Sequence, residues 1–110
     1  MRKPEIIVIE HGFAIVTLKG TDKISFDEVS AIIAYEIAEL TTDLVCCDIV
    51  TGFGNGEQVQ TIHEELTGFE AAMMRLEALP GFDRQWREAV ILPPFAANRT
   101  IIYIASPKAD

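Results

Sequence analysis

Two short amphipathic segments around a Leu79-Pro80-Gly81-Phe82 corner, together spanning residues 66–95, constrain this chain more than any other feature. Thr67-Gly68-Phe69-Glu70 fits a capping box: the Thr67 hydroxyl can accept from the Glu70 N–H, and the Glu70 carboxylate can reach back to the Thr67 N–H. Phe69, Ala72, Met73, Leu76 and Leu79 then recur at the spacing of one face of a helix, with Glu70, Arg75 and Glu77 off that stripe. Burying Phe69, Met73, Leu76 and Leu79 is worth roughly 6–12 kcal/mol before ordering entropy is subtracted. Pro80 has no N–H to donate and biases Leu79 away from the helical region, so the first helix is predicted over 67–79. Asp83 can cap a second helix over 84–91, on which Trp86 and Val90 share a face, and Pro93-Pro94 ends it.

What flanks this stretch reads mostly as strand. Residues 6–10, a His11-Gly12 turn and residues 13–19 form a hairpin, with a second turn at 20–23. Residues 44–51 are a strand, apolar on both faces except at Asp48. A glycine-rich loop follows, with Asn55-Gly56 as its hairpin turn. The more polar strand at 57–63 suits a sheet edge. Residues 100–105 return into the sheet, and 106–110 are a polar tail. The segment 24–40 fits two periods. Val29, Ile32, Ile33, Ile37 and Leu40 sit at helical spacing behind a second capping box, Ser25-Phe26-Asp27-Glu28, whereas Val29, Ala31, Ile33, Tyr35 and Ile37 alternate and many are β-branched.

A chain of 110 residues with 49% apolar content suggests a single domain, 1–110, able to fold without disulfide or metal. No apolar run reaches the ~18 residues of a membrane span, and the run at 6–9 is too short for a signal peptide, so a cytoplasmic protein is expected. The Asn98-Arg99-Thr100 glycosylation acceptor carries no meaning there. The net charge of −8 is uneven: between Lys23 and Arg75 there are ten acids and no Lys or Arg. That argues against nucleic acid and anionic membranes, which need a basic footprint, and allows a basic protein partner or a cationic ligand. Cys46 and Cys47 are neighbours in a strand and point to opposite faces, so two buried thiols are expected rather than a disulfide.

The motifs that could carry chemistry fall short on detail. Gly52-Phe53-Gly54-Asn55-Gly56 lacks the G-x-G-x-x-G spacing and opens no helix. His63-Glu64-Glu65-Leu66-Thr67 starts like a zinc-protease helix but has Thr67 where the second ligand belongs. Neither Ser25, Ser30 nor Ser106 adjoins a base motif. Asp48, the one acid inside an apolar strand, is the best candidate for a perturbed pKa. Asp48, His63, Glu64 and Glu65 are therefore the candidate contact residues, and no catalytic set, cofactor or metal is expected.

Ala34-Tyr35-Glu36, Thr41-Thr42-Asp43-Leu44-Val45-Cys46, His63-Glu64-Glu65 with Gly68-Phe69, Leu79-Pro80-Gly81, Trp86, Pro94-Phe95-Ala96 and Asn98-Arg99-Thr100 follow one another in this order. The series resembles a family of small bacterial proteins of unknown function over about residues 24–104. In that family a basic residue usually follows Ala-Tyr, where this chain has Glu36. The resemblance implies paired strands around a turn, and hence strand for 29–37, but it brings no activity with it. The fold expected is α+β: an antiparallel sheet of about six strands with two short helices, at about 67–79 and 84–91, on one face. The function expected first is a non-enzymatic interaction protein, of inhibitor or immunity type, presenting an acidic surface or the helix pair to a basic partner. A small enzyme or ligand-binding domain using Asp48, His63, Glu64 and Glu65 is the alternative. A structural homo-oligomer that pairs edge strands is the third reading, with a homodimer left open.

Overall fold

A computed structural model describes residues 3–38, 43–53, 56–91 and 99–105. Seven strands form two antiparallel sheets. β1 (Glu5–Ile9), β2 (Gly12–Thr17) and β3 (Gly20–Ser25) form a three-stranded meander. β4 (Val29–Ala38), β5 (Asp43–Thr51), β6 (Gln58–His63) and β7 (Thr100–Ile104) form a second sheet in the order β6-β5-β4-β7. One longer helix, α1 (Phe69–Glu77), and a six-residue turn of helix, α2 (Trp86–Ile91), lie between β6 and β7 in the chain.

This overturns the expectation of a single six-stranded sheet with two helices on one face. The added strand is β3. Its Gly20-Thr21-Asp22-Lys23 start reads as a turn, yet it pairs with β2 from Thr17↔Gly20 to Gly12↔Ser25. Those four residues are all exposed, and only Ile24 is buried, so β3 has no apolar alternation to betray it. The sheets separate at a 3-10 turn, Phe26–Glu28, where the Phe26 N–H donates to the His11 carbonyl and the Gly52 N–H to that of Glu28. The chain turns a corner there instead of extending one ladder. The helices do not share a face either: α1 packs beside β1, and α2 against β4 and β7.

The segment with two readings is strand. β4 pairs with β5 from Ala38↔Asp43 to Val29↔Thr51, with one irregularity between Val29 and Ala31. Ile32 and Ala34 enter the core, while Ile33, Tyr35 and Ile37 point the other way. The core joins Ile6, Phe13, Ile15 and Ile24 of the first sheet to Ile32, Cys47, Ile49, Ile62 and Ile102 of the second. The α1 stripe of Phe69, Ala72, Met73 and Leu76 and the α2 pair Trp86 and Val90 fill the space between them.

The capping box at Thr67 does not form. The N-cap is Gly68, at φ 91° and ψ −3°, with no side-chain cap bond. Thr67 is drawn instead into a parallel bridge with Glu5, where its carbonyl accepts the Ile6 N–H at 2.7 Å. Glu70 pairs with Arg87. Asp83 behaves as the sequence suggests, its Oδ1 accepting from the Gln85 N–H at 3.0 Å ahead of α2. The turn expected at Asn55, the Pro93-Pro94 stop, the Asn98 acceptor and the tail after 105 lie outside the described residues.

Candidate functional site

The second sheet has one face against the core and one open. Strand alternation sets Ile33, Tyr35 and Ile37 of β4, Cys46, Asp48 and Val50 of β5, and Val59, Thr61 and His63 of β6 on the open face. Asp48 lies at its centre, opposite Ile33 on one side and Thr61 on the other. Only 8% exposed, it is the one buried charged residue among those described.

Its carboxylate is fully engaged. Oδ1 accepts from the Tyr35 hydroxyl at 2.8 Å and the Thr61 hydroxyl at 2.7 Å. Oδ2 accepts from Arg99 Nη2 at 2.6 Å. The Arg99 guanidinium also lies over the Tyr35 ring, 4.5 Å from its centroid. Burial works to raise the Asp48 pKa, but the bonds from Thr61, Tyr35 and Arg99 and the Arg99 charge outweigh it and hold the carboxyl below its ordinary range. The Tyr35 phenol is pushed up, first by burial and then by its bond to Asp48.

A lowered carboxyl contributes stability that is present above its unfolded value, near pH 3.8, and is lost as pH falls through the folded value. Asp48→Asn keeps an acceptor for both hydroxyls but removes the charge that strengthens those bonds. Urea unfolding should show a loss of about 1–2 kcal/mol at neutral pH. Because Arg99 is largely exposed, its pairing adds little to that figure. The gap between variant and parent should close as the pH drops well below 4.

The four residues singled out in the sequence do not act together. His63 Nδ1 accepts from the Glu65 N–H at 3.3 Å, in the turn that leaves β6. The Glu64 carboxylate accepts from the Val45 N–H at 3.0 Å, and its own N–H donates to the Val45 carbonyl. Glu65 is exposed. Asp48 bonds to none of the three; its partners are Tyr35, Thr61 and Arg99, which sequence reasoning did not pick out. Tyr35 and Thr61 were detectable only through strand register, and Arg99 lies 51 residues away.

Carboxylates crowd the end of the sheet where β4 meets β5. Burial, then Asp43, then Glu64 raise the pKa of Glu36. A raised carboxyl contributes stability that is complete below the unfolded value, near 4.5, and is lost as pH rises through the folded value. Glu36→Gln is therefore expected to stabilise the protein at neutral pH and to leave it unchanged in acid, as read by thermal melts at both. Both cysteines are buried and neither forms a disulfide; burial pushes the Cys47 thiol up to about 12, which makes it unreactive. Among the described residues no group of three or more His, Cys, Asp and Glu could hold a metal ion, and no helix is long and apolar enough to cross a membrane.

The architecture is thus a mostly β protein of two antiparallel sheets, with one longer helix, a short helical turn and a neutralised polar centre on one open sheet face. Compared with family models, curated proteins and solved structures, the chain matches none.

Proposed function

We propose that this chain is a non-catalytic interaction protein whose contact surface is the open face of the β6-β5-β4-β7 sheet. The observation that carries this reading is the apolar exposure of that face: Ile37 is 43%, Val59 56%, Ile101 59% and Ile104 62% exposed. Exposed apolar side chains gathered on one face mark interaction sites. At their centre Arg99 and Tyr35, residue types common at binding hot spots, are held in place by Asp48. The Asp48 carboxylate is taken up by Arg99 and two hydroxyls, so it serves as a structural anchor and leaves no free base for catalysis.

Charge supports a basic-rimmed protein as the partner. Asp48 is neutralised by Arg99, so the face itself is close to neutral. Exposed acids lie at both ends of it: Asp43, Glu64 and Glu65 at one, Glu28 and Glu57 at the other. An inhibitor that covers a basic surface has this charge pattern, and two buried cysteines outside any disulfide suit the reducing cytoplasm. The enzyme reading built on Asp48, His63, Glu64 and Glu65 ranks below it because their hydrogen bonds run to separate partners.

Affinity capture with the parent chain and with an Ile101→Asp, Ile104→Asp double variant tests the proposal. Both positions are exposed, so the variant should keep the parent's circular dichroism. A salt-sensitive basic partner held by the parent and lost by the variant is the expected result. Equal recovery by both chains, or none by either, would sink the idea.

A further inference from the structure

Four strands lie at sheet margins: β1 and β3 in the first sheet, β6 and β7 in the second. Three of them are occupied or guarded. On β1 the Ile6 N–H is bound to the Thr67 carbonyl, and on β7 the Ile102 carbonyl accepts from the Asp83 N–H at 2.9 Å. β3 carries exposed Asp22 and Lys23, and edge charge, Lys above all, deters strand addition. β6 has no Lys, Arg or Pro, keeps an unbroken register with β5, and exposes Gln58, Val59 and Thr61.

The ladder fixes where the free backbone groups of β6 point. The Glu64 N–H donates to the Val45 carbonyl at 3.0 Å, one residue beyond the Cys46↔His63 pair. Antiparallel pairs alternate between bonded and non-bonded, so Gln58, Gln60 and Ile62 also turn their backbone groups to β5. Val59, Thr61 and His63 turn theirs outward. The His63 carbonyl is taken by the Leu66 N–H at 3.0 Å. Among the described residues, no backbone bond outside the ladders reaches Val59 or Thr61.

We propose that β6 pairs antiparallel with β6 of a second copy, joining two four-stranded sheets into one continuous sheet about a twofold axis. The outward groups belong to odd-numbered residues, so only registers that set odd opposite odd can form the new bonds. Centring the pair on Gln60 brings Val59 opposite Thr61 of the other copy, and Glu57 opposite its His63, each twice by symmetry. Carboxylate thus meets imidazole at both ends of the interface. Centring on Thr61 sets Glu57 against Glu65 instead, and centring on Val59 carries His63 past the partner strand. The Gln60 register pairs Val59 with Thr61 and sets a carboxylate against an imidazole rather than against a second carboxylate. A strand pair of this length buries less than the roughly 1,200–2,000 Å² of a standard interface, so the dimer is weak and reversible.

Sedimentation equilibrium of the full chain over a concentration series tests this. The parent is expected to shift from monomer to dimer as concentration rises. Val59→Pro deletes an N–H that points away from β5, so it should leave the internal ladder intact and weaken the dimer by about tenfold or more. Glu57→Lys and His63→Glu should each weaken it, and the double swap should restore it. A parent that stays monomeric overturns the proposal. So does a dimer that Val59→Pro and both single swaps leave intact, or a double swap that fails to restore pairing. Should Val59→Pro prove unfolded by circular dichroism, the swap series decides alone. The edge is separate from Ile101 and Ile104, so loss of partner capture there leaves this result standing.

Discussion

Met73→Asp is expected to leave the chain unfolded, whereas Met74→Asp, one residue on, should change its stability by no more than about 0.5 kcal/mol. The contrast follows from the stripe of α1. Met73 is 0% exposed, packed among residues of both sheets and α2, while Met74 is 72% exposed. Removing the buried Met side chain costs about 2–5 kcal/mol. The incoming carboxyl adds several more, because even when protonated it finds no partner in an apolar space. Together these approach the whole stability of a typical domain, about 5–15 kcal/mol. Met73→Leu, which conserves volume, should cost less than about 1.5 kcal/mol. Far-UV circular dichroism and a thermal melt of the three variants are the measurement. A folded Met73→Asp protein would mean that α1 does not close the core.

That stripe was legible because its information is local. Phe69, Ala72, Met73 and Leu76 lie within two turns, and each is buried. The strand at Asp43–Thr51 was legible for a related reason: it is a continuous apolar run of strand length, bounded by a glycine-rich loop. β4 was harder. Ile32 and Ala34 face the core, and Ile33 and Ile37 face the open side, so apolar residues fall on both faces and fit a helical period equally well. β3 was missed because an exposed margin strand carries no burial pattern at all. Whether there was one sheet or two depended on the corner at Phe26–Glu28, which is made by bonds to His11 and Gly52 that no short window contains.

The site divides the same way. An acid inside an apolar strand announces itself, so Asp48 could be singled out. Its partners could not, since Tyr35 and Thr61 each lie 13 residues away and meet it only once three strands are in register. Along the sequence, the acidic tract from Lys23 to Arg75 reads as one surface. Folding breaks it up: Asp48 is spent on Arg99, Glu70 on Arg87, and the exposed remainder is sorted to the two ends of a sheet. Charge counted along a sequence gives the sum; only the fold decides which charges a partner meets.

The failed capping box carries the other large effect: Gly68→Ala is expected to cost about 3 kcal/mol or more. Gly68 sits at φ +91°, where a non-glycine residue pays roughly 1–2 kcal/mol. A Cβ there would also lie 1.9 Å from the Ile6 carbonyl oxygen and 3.3 Å from the Ile6 Cβ, so β1 or the start of α1 must move. Ile6 is bonded to Thr67 and buried in the core, which makes that movement expensive: a buried backbone bond left unmade costs about 1–3 kcal/mol. Gly81→Ala is the control. It has φ +84° but nothing within 4 Å of an added Cβ, so it should show the conformational cost alone. The difference between the two variants, about 2 kcal/mol, measures the close approach of β1 to α1. In a thermal melt Gly68→Ala should fall by more than about 10 °C, and Gly81→Ala by clearly less. Equal losses would show that the first sheet is not locked to the helix at this point.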